Sequence, residues 1–482
     1  MIYFNIFTNI LLVLFLGYYL ITVLQWYNYK LKRVIFNFYK KNWHTLYFIS
    51  PIILYLLLDI LYFSIYFYSF YIISLILWKN SLDRVLVFTN RAKRFFIILF
   101  SISLFINILY FYNSLDYNYR LGILSLILAY ILSNILEKIW FNILKNRAKN
   151  KISNLQNISN LKIIAITASY GKTSIKNYLY QILKYKYRVY KTPRSVNTLA
   201  GIVLDINQNL LNDTQIYICE AGARQKGDIK DIVDLINPQY AILGSVGEQH
   251  IEYFKTLDNI INTKKEILSS KKLIYALVHD SVDIKSNEIM QQFPSNLKIK
   301  SSTLNGITFD IDINSVRHRF KSSVLGGFNA INLTSVIFMC LELDFRIDEV
   351  KDYIKDIQNI NHRLQLVKSN GKLILDDSFN GNLNGMIEAI NISSSYTKRK
   401  VIITPGLIES TSEANKQLAF HIDKVFDIVI LTGELNQNIL KSNINTAKVI
   451  LLKDKSKMKD YIKKYTQKDD LILFANDAPS FI

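Results

Sequence analysis

Residues 161–174 read Leu-Lys-Ile-Ile-Ala-Ile-Thr-Ala-Ser-Tyr-Gly-Lys-Thr-Ser. The apolar run Ile163 to Ile166 has the composition of a strand buried in a parallel sheet. It ends at small residues. Gly171-Lys172-Thr173-Ser174 then opens an amphipathic stretch that runs to Leu183. Strand, tight turn, Gly-Lys-Thr and helix is the order of a phosphate-binding loop. In that reading, backbone N–H groups at the helix start face an anion, Lys172 brings a point charge to the outer phosphates, and the Thr173 hydroxyl is placed for Mg²⁺. The strict pattern has Gly at position 166, where this chain has Ile. The alternative is an ordinary strand–turn–helix with a chance Gly-Lys-Thr.

The length of 482 residues suits about three domains. Lys and Arg number 58 against 38 Asp and Glu, a net charge of +20. Nucleic acid, anionic lipid and phosphorylated substrates all fit such a balance. A Lys/Ile/Asn-rich bias with basic loops beside membrane helices accounts for it best. No stretch has the aromatic-plus-basic pattern of a nucleic-acid module, so no nucleic-acid partner is expected. Cys219 and Cys340 belong to no C-x-x-C pair. A reducing, cytosolic setting follows, without a disulfide framework or zinc site.

Residues 1–150 read as a transmembrane helical domain. Ile2–Leu24 is almost wholly apolar, without the basic start and cleavage site of a removed signal peptide. Leu46–Trp78 is apolar except for Asp59. It is too long for one span of about 20 residues and short for two. Phe95–Tyr112 and Leu121–Phe141 are further candidate spans. Basic clusters at 30–41, 79–94 and 145–151 place those segments in the cytoplasm by the positive-inside rule. An even number of crossings must separate the first two clusters, so 46–78 is expected to be a tight hairpin or re-entrant segment bending near Asp59. The expected location is the cytoplasmic (inner) membrane, multi-pass, with the remaining domains in the cytoplasm.

Residues 151–361 alternate strand and helix, the sign of a parallel sheet with crossover helices. Strands are expected at 163–167, 216–220, 240–244 and 273–278. Glu220 ends the second of these, where open α/β sheets place ligand groups, and suits Mg²⁺ opposite Lys172; the alternative is a cap on the next turn. His250 follows a Gly-Ser-Val-Gly turn and is either a second cation ligand or a polar surface residue. Lys264, beside Lys265, would by default lie on a solvated helix face. Asn329, at the start of an apolar helix, reads an adenine edge or N-caps that helix. Residues 362–482 alternate again, with strands expected at 372–376, 400–404, 427–431, 448–452 and 470–474, as in a small Rossmann-like domain. Asp377, Asn380 and Asn382 fall just past the first of these strands; an Asx-turn is the alternative.

Together these stretches resemble the Mur ligase family, in its D-alanyl-D-alanine-adding branch. Ile166-Thr-Ala-Ser-Tyr-Gly-Lys-Thr-Ser174 is similar to the family's T-G-S-x-G-K-T/S loop. Glu220-Ala-Gly-Ala223 resembles E-x-G-A, and Gly227-Asp-Ile229 resembles G-E/D-I. His250-Ile-Glu252 is similar to H-L-E, and Thr263-Lys-Lys-Glu-Ile267 to A-K-G-E-I. Phe328-Asn-Ala-Ile-Asn332 resembles H-N-x-x-N, His362-Arg-Leu364 resembles G-R-L, and Asp376-Asp-Ser-Phe-Asn-Gly-Asn382 resembles D-D-S-Y-N-A-N. Ala168 departs from the loop's first Gly, Phe328 from His, and Gly385 from the Ser that usually follows the Asn-rich motif. If position 168 needs positive φ, Ala costs about 1 kcal/mol there. No stretch resembles the soluble N-terminal domain with which the family grips the uridine end of its substrate.

The resemblance implies an α/β, P-loop-type ATP-binding domain at 151–361 and a C-terminal Rossmann-like ligase domain at 362–482, behind the helical transmembrane domain. It implies an ATP- and Mg²⁺-dependent amide ligase joining D-Ala-D-Ala to a UDP-MurNAc-tripeptide through an acyl phosphate. Other cell-wall synthesis proteins are a further implied class of partner. Implied ATP-binding residues are Ser169, Gly171, Lys172, Thr173, Ser174, Asn329, Arg363 and Asp377. Implied substrate-binding residues are Asn197, Thr198, Asn380 and Asn382; for Asn197 and Thr198 a plain loop with a helix cap is the alternative. Implied catalytic residues are Lys172, Glu220, His250 and Lys264, with Lys264 carbamylated by CO₂. Implied metal ligands are Thr173, Glu220, His250 and Lys264. The alternatives are a Mur-like ligase for a lipid-linked or other carboxylate, a membrane-coupled P-loop ATPase, and a membrane scaffold with a dead nucleotide fold.

Overall fold

The computed structural model describes residues 2–27, 29–37, 40–82, 85–112, 119–194, 196–247, 254–284, 287–294, 296–379, 382–408, 410–452 and 454–476. The chain divides into two compact units, Met1–Ile143 and Leu144–Ile482.

The first unit is helical. Tyr3–Trp26, Ile60–Asn80, Asn90–Leu109 and Arg120–Ile158 are long and apolar enough, by length and composition, to cross a membrane; the last runs past the division into the second unit's residues. The helical path from Lys41 to Leu57 stops at Leu58 and Asp59, both with ψ of 151°, and resumes at Ile60. The two arms fold back on each other. Tyr55 lies 4.9 Å from Phe63, Tyr47 lies 5.5 Å from Trp78, and the Tyr71 hydroxyl donates to the Tyr47 carbonyl at 2.9 Å. Aromatic pairs of this kind contribute roughly 0.5–1.5 kcal/mol each beyond the area they bury. The hairpin is therefore held by its rings, and the bend falls at Asp59, the one charged residue in the run.

Among the described residues, the second unit holds three sheets. In the central one, β1 (Lys162–Thr167), β2 (Val189–Lys191), β3 (Ile216–Glu220), β4 (Tyr240–Leu243), β5 (Tyr275–His279) and β6 (Met290–Phe293) lie in the order β2-β3-β1-β4-β5-β6. All five pairings are parallel. Helices Lys172–Leu183 and Gly327–Glu342 bury their apolar faces in the same core as Ile164, Ile166, Ile218 and Ile242. The chain leaves β1 toward β2 but leaves β3 toward β4, so the connections from these two neighbours run in opposite directions. Their carboxyl ends form the topological switch point, where such sheets bind ligands.

A second sheet is antiparallel: β7 (Lys298–Thr303), β8 (Gly306–Ile313) and β9 (Val316–Ser322). Asn314 and Ser315 join β8 to β9 with φ of 49° and 65°, the positive pair that a two-residue hairpin turn needs. The third sheet has the order β10-β11-β15-β12-β13-β14, from β10 (Gln365–Ser369), β11 (Lys372–Asp377), β12 (Lys400–Thr404), β13 (Ile428–Thr432), β14 (Lys448–Leu452) and β15 (Leu471–Ala475). It is parallel apart from the edge pair β10–β11. Apolar clusters cover both of its faces. Sequence reading found β1, β3, β4, β5 and β11–β15 to within two residues, and missed β2, β6, β7–β9 and β10.

Candidate active site

The loop after β1 is pinned from below. The Ser169 N–H donates to the Ser245 carbonyl at 2.8 Å, the Ser169 hydroxyl to the Gly247 carbonyl at 2.9 Å, and the Tyr170 N–H to the Ser245 carbonyl at 3.3 Å. The turn after β4 thus carries the loop. Gly171 ends it at φ 83°, and a Cβ there would come 2.4 Å from Asn332 Oδ1, so both conformation and space require glycine. Ala168 is not among the positive-φ residues, so the strain expected at that position does not arise. It is buried and sits where a Cβ on Gly244 would approach it to 3.0 Å.

Helix Lys172–Leu183 starts on this turn, and the first N–H groups of a helix have no partner inside it. The Lys172 ammonium curls over the loop, donating to the carbonyls of Ala168 at 2.5 Å and Ser169 at 3.0 Å. Lys264 reaches the Ala168 carbonyl from the other side at 2.9 Å. Lys264 is 5% exposed, so the solvated-face reading of this residue is wrong. It is Lys265 that points away, to the Asp283 carbonyl. Glu266 turns back to accept from the N–H groups of Gly227 and Lys230, capping helix Asp228–Ile236.

Glu220 ends β3 beside the loop and is 1% exposed. Its Oε2 accepts from the Thr173 hydroxyl at 3.1 Å and pairs with Lys176 at 2.9 Å, while Oε1 accepts from Asn197 Nδ2 at 3.1 Å. It is a hub, not a turn cap. Burial holds the Lys172 ammonium down to about 8, with Glu220 opposing that shift and Arg363 adding to it. Burial, and then the charge of Lys172, holds Lys264 down to about 6. Arg363 is therefore within electrostatic reach of the loop.

Other implied residues do structural work. Asn329 is 2% exposed. Its amide donates to the Leu325 carbonyl and its carbonyl accepts from Asn332, whose own carbonyl oxygen backs Gly171. It is inside helix Gly327–Glu342, whose N-cap is Gly326, so the N-cap reading is corrected. Thr198 caps helix Leu199–Asn209 through the Gly201 N–H, and Asn382 caps helix Leu383–Ser394 through the Gly385 N–H. Asp377 accepts from the Leu364 N–H, holding the segment that carries Arg363, where His362 and Leu364 are left-handed. Ser174 is buried in the first turn of its helix. His250 and Asn380 lie outside the described residues. Sequence reading missed Lys176. Its signal was a second lysine one turn after Lys172 on the same helix face.

The lysine shifts set a pH dependence. Unfolded lysines titrate near 10.4, so between about 6 and 10 the unfolded chain holds protons that native Lys264 has released. Raising pH through that window stabilises the native state; acidification destabilises it. Lys264→Met is expected to flatten the slope of unfolding free energy against pH across that window, read from urea titrations; an unchanged slope would refute this origin.

Residues 166–340 match the model of the Mur ligase middle domain. This stretch is thus similar to the middle domain of the Mur ligases. The chain is 28% identical over 293 residues to the UDP-N-acetylmuramoyl-tripeptide–D-alanyl-D-alanine ligase of Borreliella burgdorferi, covering 57% of this chain and 63% of that protein. It thus spans less than two thirds of that relative's length. The enzyme of the same name from Bacillus subtilis is 24% identical, covering 65% of this chain and 72% of that one. The solved structure of the MurF ligase of Thermotoga maritima in complex with ADP aligns with TM-score 0.60 and 23% identity, over 70% of this chain and 80% of that one. A MurF structure from Acinetobacter baumannii aligns at 0.59 and 19%, over 70% of this chain and 77% of that one. The chain therefore has the Mur ligase fold around its middle domain, and Lys172, Thr173, Glu220 and Lys264 all lie within the matched segment.

Proposed function

We propose that this chain is an ATP-dependent amide ligase of peptidoglycan precursor synthesis that joins D-Ala-D-Ala to UDP-MurNAc-tripeptide. The observation that carries the reading is the convergence of Lys172, Thr173, Glu220 and Lys264 on one loop at the switch point of a parallel sheet. Loop 168–173 acts as the P-loop of this site, and β10–β15 as a Rossmann-like lobe that brings Arg363 toward it. A γ-phosphoryl group held there passes to the precursor carboxylate, giving an acyl phosphate; the dipeptide amine attacks its carbonyl carbon and phosphate leaves. Phosphoryl transfer needs positioning and charge neutralisation more than covalent help. Lys172 supplies the charge, and the N–H groups at the helix head orient the phosphates.

The Thr173 hydroxyl and Glu220 carboxylate, 3.1 Å apart, are hard oxygen donors of the kind that hold Mg²⁺ against nucleotide phosphates. Magnesium there would neutralise charge on the β- and γ-oxygens. His250 and a carbamate on Lys264 are the proposed ligands of a second ion. The depressed Lys264 keeps much of its amine neutral near pH 7, the form that attacks CO₂. The four apolar helices make the protein a multi-pass membrane protein in this reading, with the ligase unit in the cytoplasm.

The test is product formation by the full-length protein in lipid, supplied with ATP, Mg²⁺, D-Ala-D-Ala and either soluble or lipid-linked precursor. Amide product from the soluble precursor is expected. Product from the lipid-linked one alone would replace the substrate, and ATP hydrolysis without amide would overturn the ligase reading.

A further inference from the structure

Lys176 is a buried cation that the loop chemistry above leaves unused. Its side chain and that of Glu220 are each 1% exposed, and its ammonium lies 2.9 Å from Glu220 Oε2. The same ammonium donates to the Arg194 carbonyl at 2.6 Å. Arg194 belongs to the segment between β2 and helix Leu199–Asn209, which meets Glu220 at two further points. The Thr192 hydroxyl accepts from the Glu220 N–H, and Asn197 donates to Glu220 Oε1. Asn197 also accepts, through its carbonyl, from the Gly222 N–H at 2.8 Å. Thr192, Arg194, Asn197 and the end of β3 are thus bonded together, with Lys176 at the centre.

A carboxylate this buried needs a compensating charge. Lys176 provides it on the oxygen that also receives the Thr173 hydroxyl, the pair of groups proposed for magnesium. A divalent ion on that oxygen and an ammonium 2.9 Å from it repel each other at close range in a low-dielectric site. We propose that Lys176 is a positioning residue: the counter-ion of Glu220 before the magnesium nucleotide binds, released when it binds, so that its hold on the Arg194 carbonyl changes with nucleotide occupancy. The proposal rests on the ligase reading for its link to precursor binding, since it makes Arg194 and its neighbours Thr192 and Asn197 respond to ATP.

The experiment compares full-length wild type, Lys176→Met, Lys176→Arg and the double variant Lys176→Met/Glu220→Gln in detergent. Thermal unfolding is read with and without MgCl₂, no nucleotide present. Lys176→Met is expected to lower Tm on the order of 5 °C without metal. Magnesium alone should restore part of that loss, and wild type should not respond. The double variant should recover stability without metal, because neither charge remains; it also keeps the test open if Lys176→Met does not fold. In turnover assays, Lys176→Met should need several-fold less Mg²⁺ for half-maximal rate and show a raised KM for the precursor, with Lys176→Arg nearer wild type. Equal Tm with and without magnesium in Lys176→Met, together with no recovery in the double variant, overturns the counter-ion role. The unfolding arm does not need amide formation, so a failed ligase assay and a failed counter-ion remain distinguishable.

Discussion

Replacing Lys172 with alanine is expected to lower kcat on the order of 10³-fold, the loss seen when one preorganised donor to developing charge is removed. The structure gives two reasons for a loss of this size. The ammonium is folded against the carbonyls of Ala168 and Ser169, at the head of the helix where a phosphate would be received. Burial keeps it near 8, so a polyanion entering the loop draws it fully into the charged form without a conformational search. The fold should tolerate the change. Lys172 repels Lys264, and its removal relieves that repulsion, so Lys264 should titrate higher in the variant. Turnover measured beside circular dichroism and thermal unfolding checks both halves. Wild-type rates in a folded Lys172→Ala protein would contradict the role given to this residue.

Glu220→Ala is expected to have the largest effect on stability, about 3–5 kcal/mol, because it strands a buried cation. Lys176 would keep only the Arg194 carbonyl, and both the Asn197 amide and the Thr173 hydroxyl would lose their acceptor. Glu220→Gln retains acceptor capacity and shape, so it should cost less in stability while still losing most turnover. Urea unfolding of the three proteins side by side gives the ordering. If Glu220→Ala unfolds at the wild-type midpoint, the hub at the end of β3 does not carry the load assigned to it.

The parallel sheets were legible because their strands are short apolar runs buried on both faces. Ile216–Glu220 and Lys400–Thr404 could be read to the residue. The antiparallel sheet had a signal that went unread: Ile307, Phe309, Ile311 and Ile313 alternate with more polar neighbours, and Asn314-Ser315 marks the turn. β2, three residues long, and β10, a half-exposed edge strand, take their form from the neighbour each pairs with. In the site, Gly171, Lys172, Thr173 and Glu220 were readable because spacing along strand and helix sets their position. Lys264 was not, because its burial depends on a helix packing beside the loop from 96 residues away. Motif resemblance named it where local pattern pointed to solvent. Asn329 shows the reverse. Its position suggests an adenine contact or an N-cap, and in the fold its side-chain carbonyl accepts from Asn332, whose own carbonyl oxygen lies behind Gly171.

The most direct measurement follows an oxygen atom. With the acceptor carboxylate of UDP-MurNAc-tripeptide labelled with ¹⁸O, the full-length protein is given ATP, Mg²⁺ and D-Ala-D-Ala, and the released phosphate is analysed by mass. Attack of that carboxylate on the γ-phosphoryl group, followed by amine attack at carbon, leaves one labelled oxygen in each phosphate formed. Unlabelled phosphate alongside amide product would show that the carboxylate is activated by another route, and phosphate without product would show that the loop hydrolyses ATP for a different purpose.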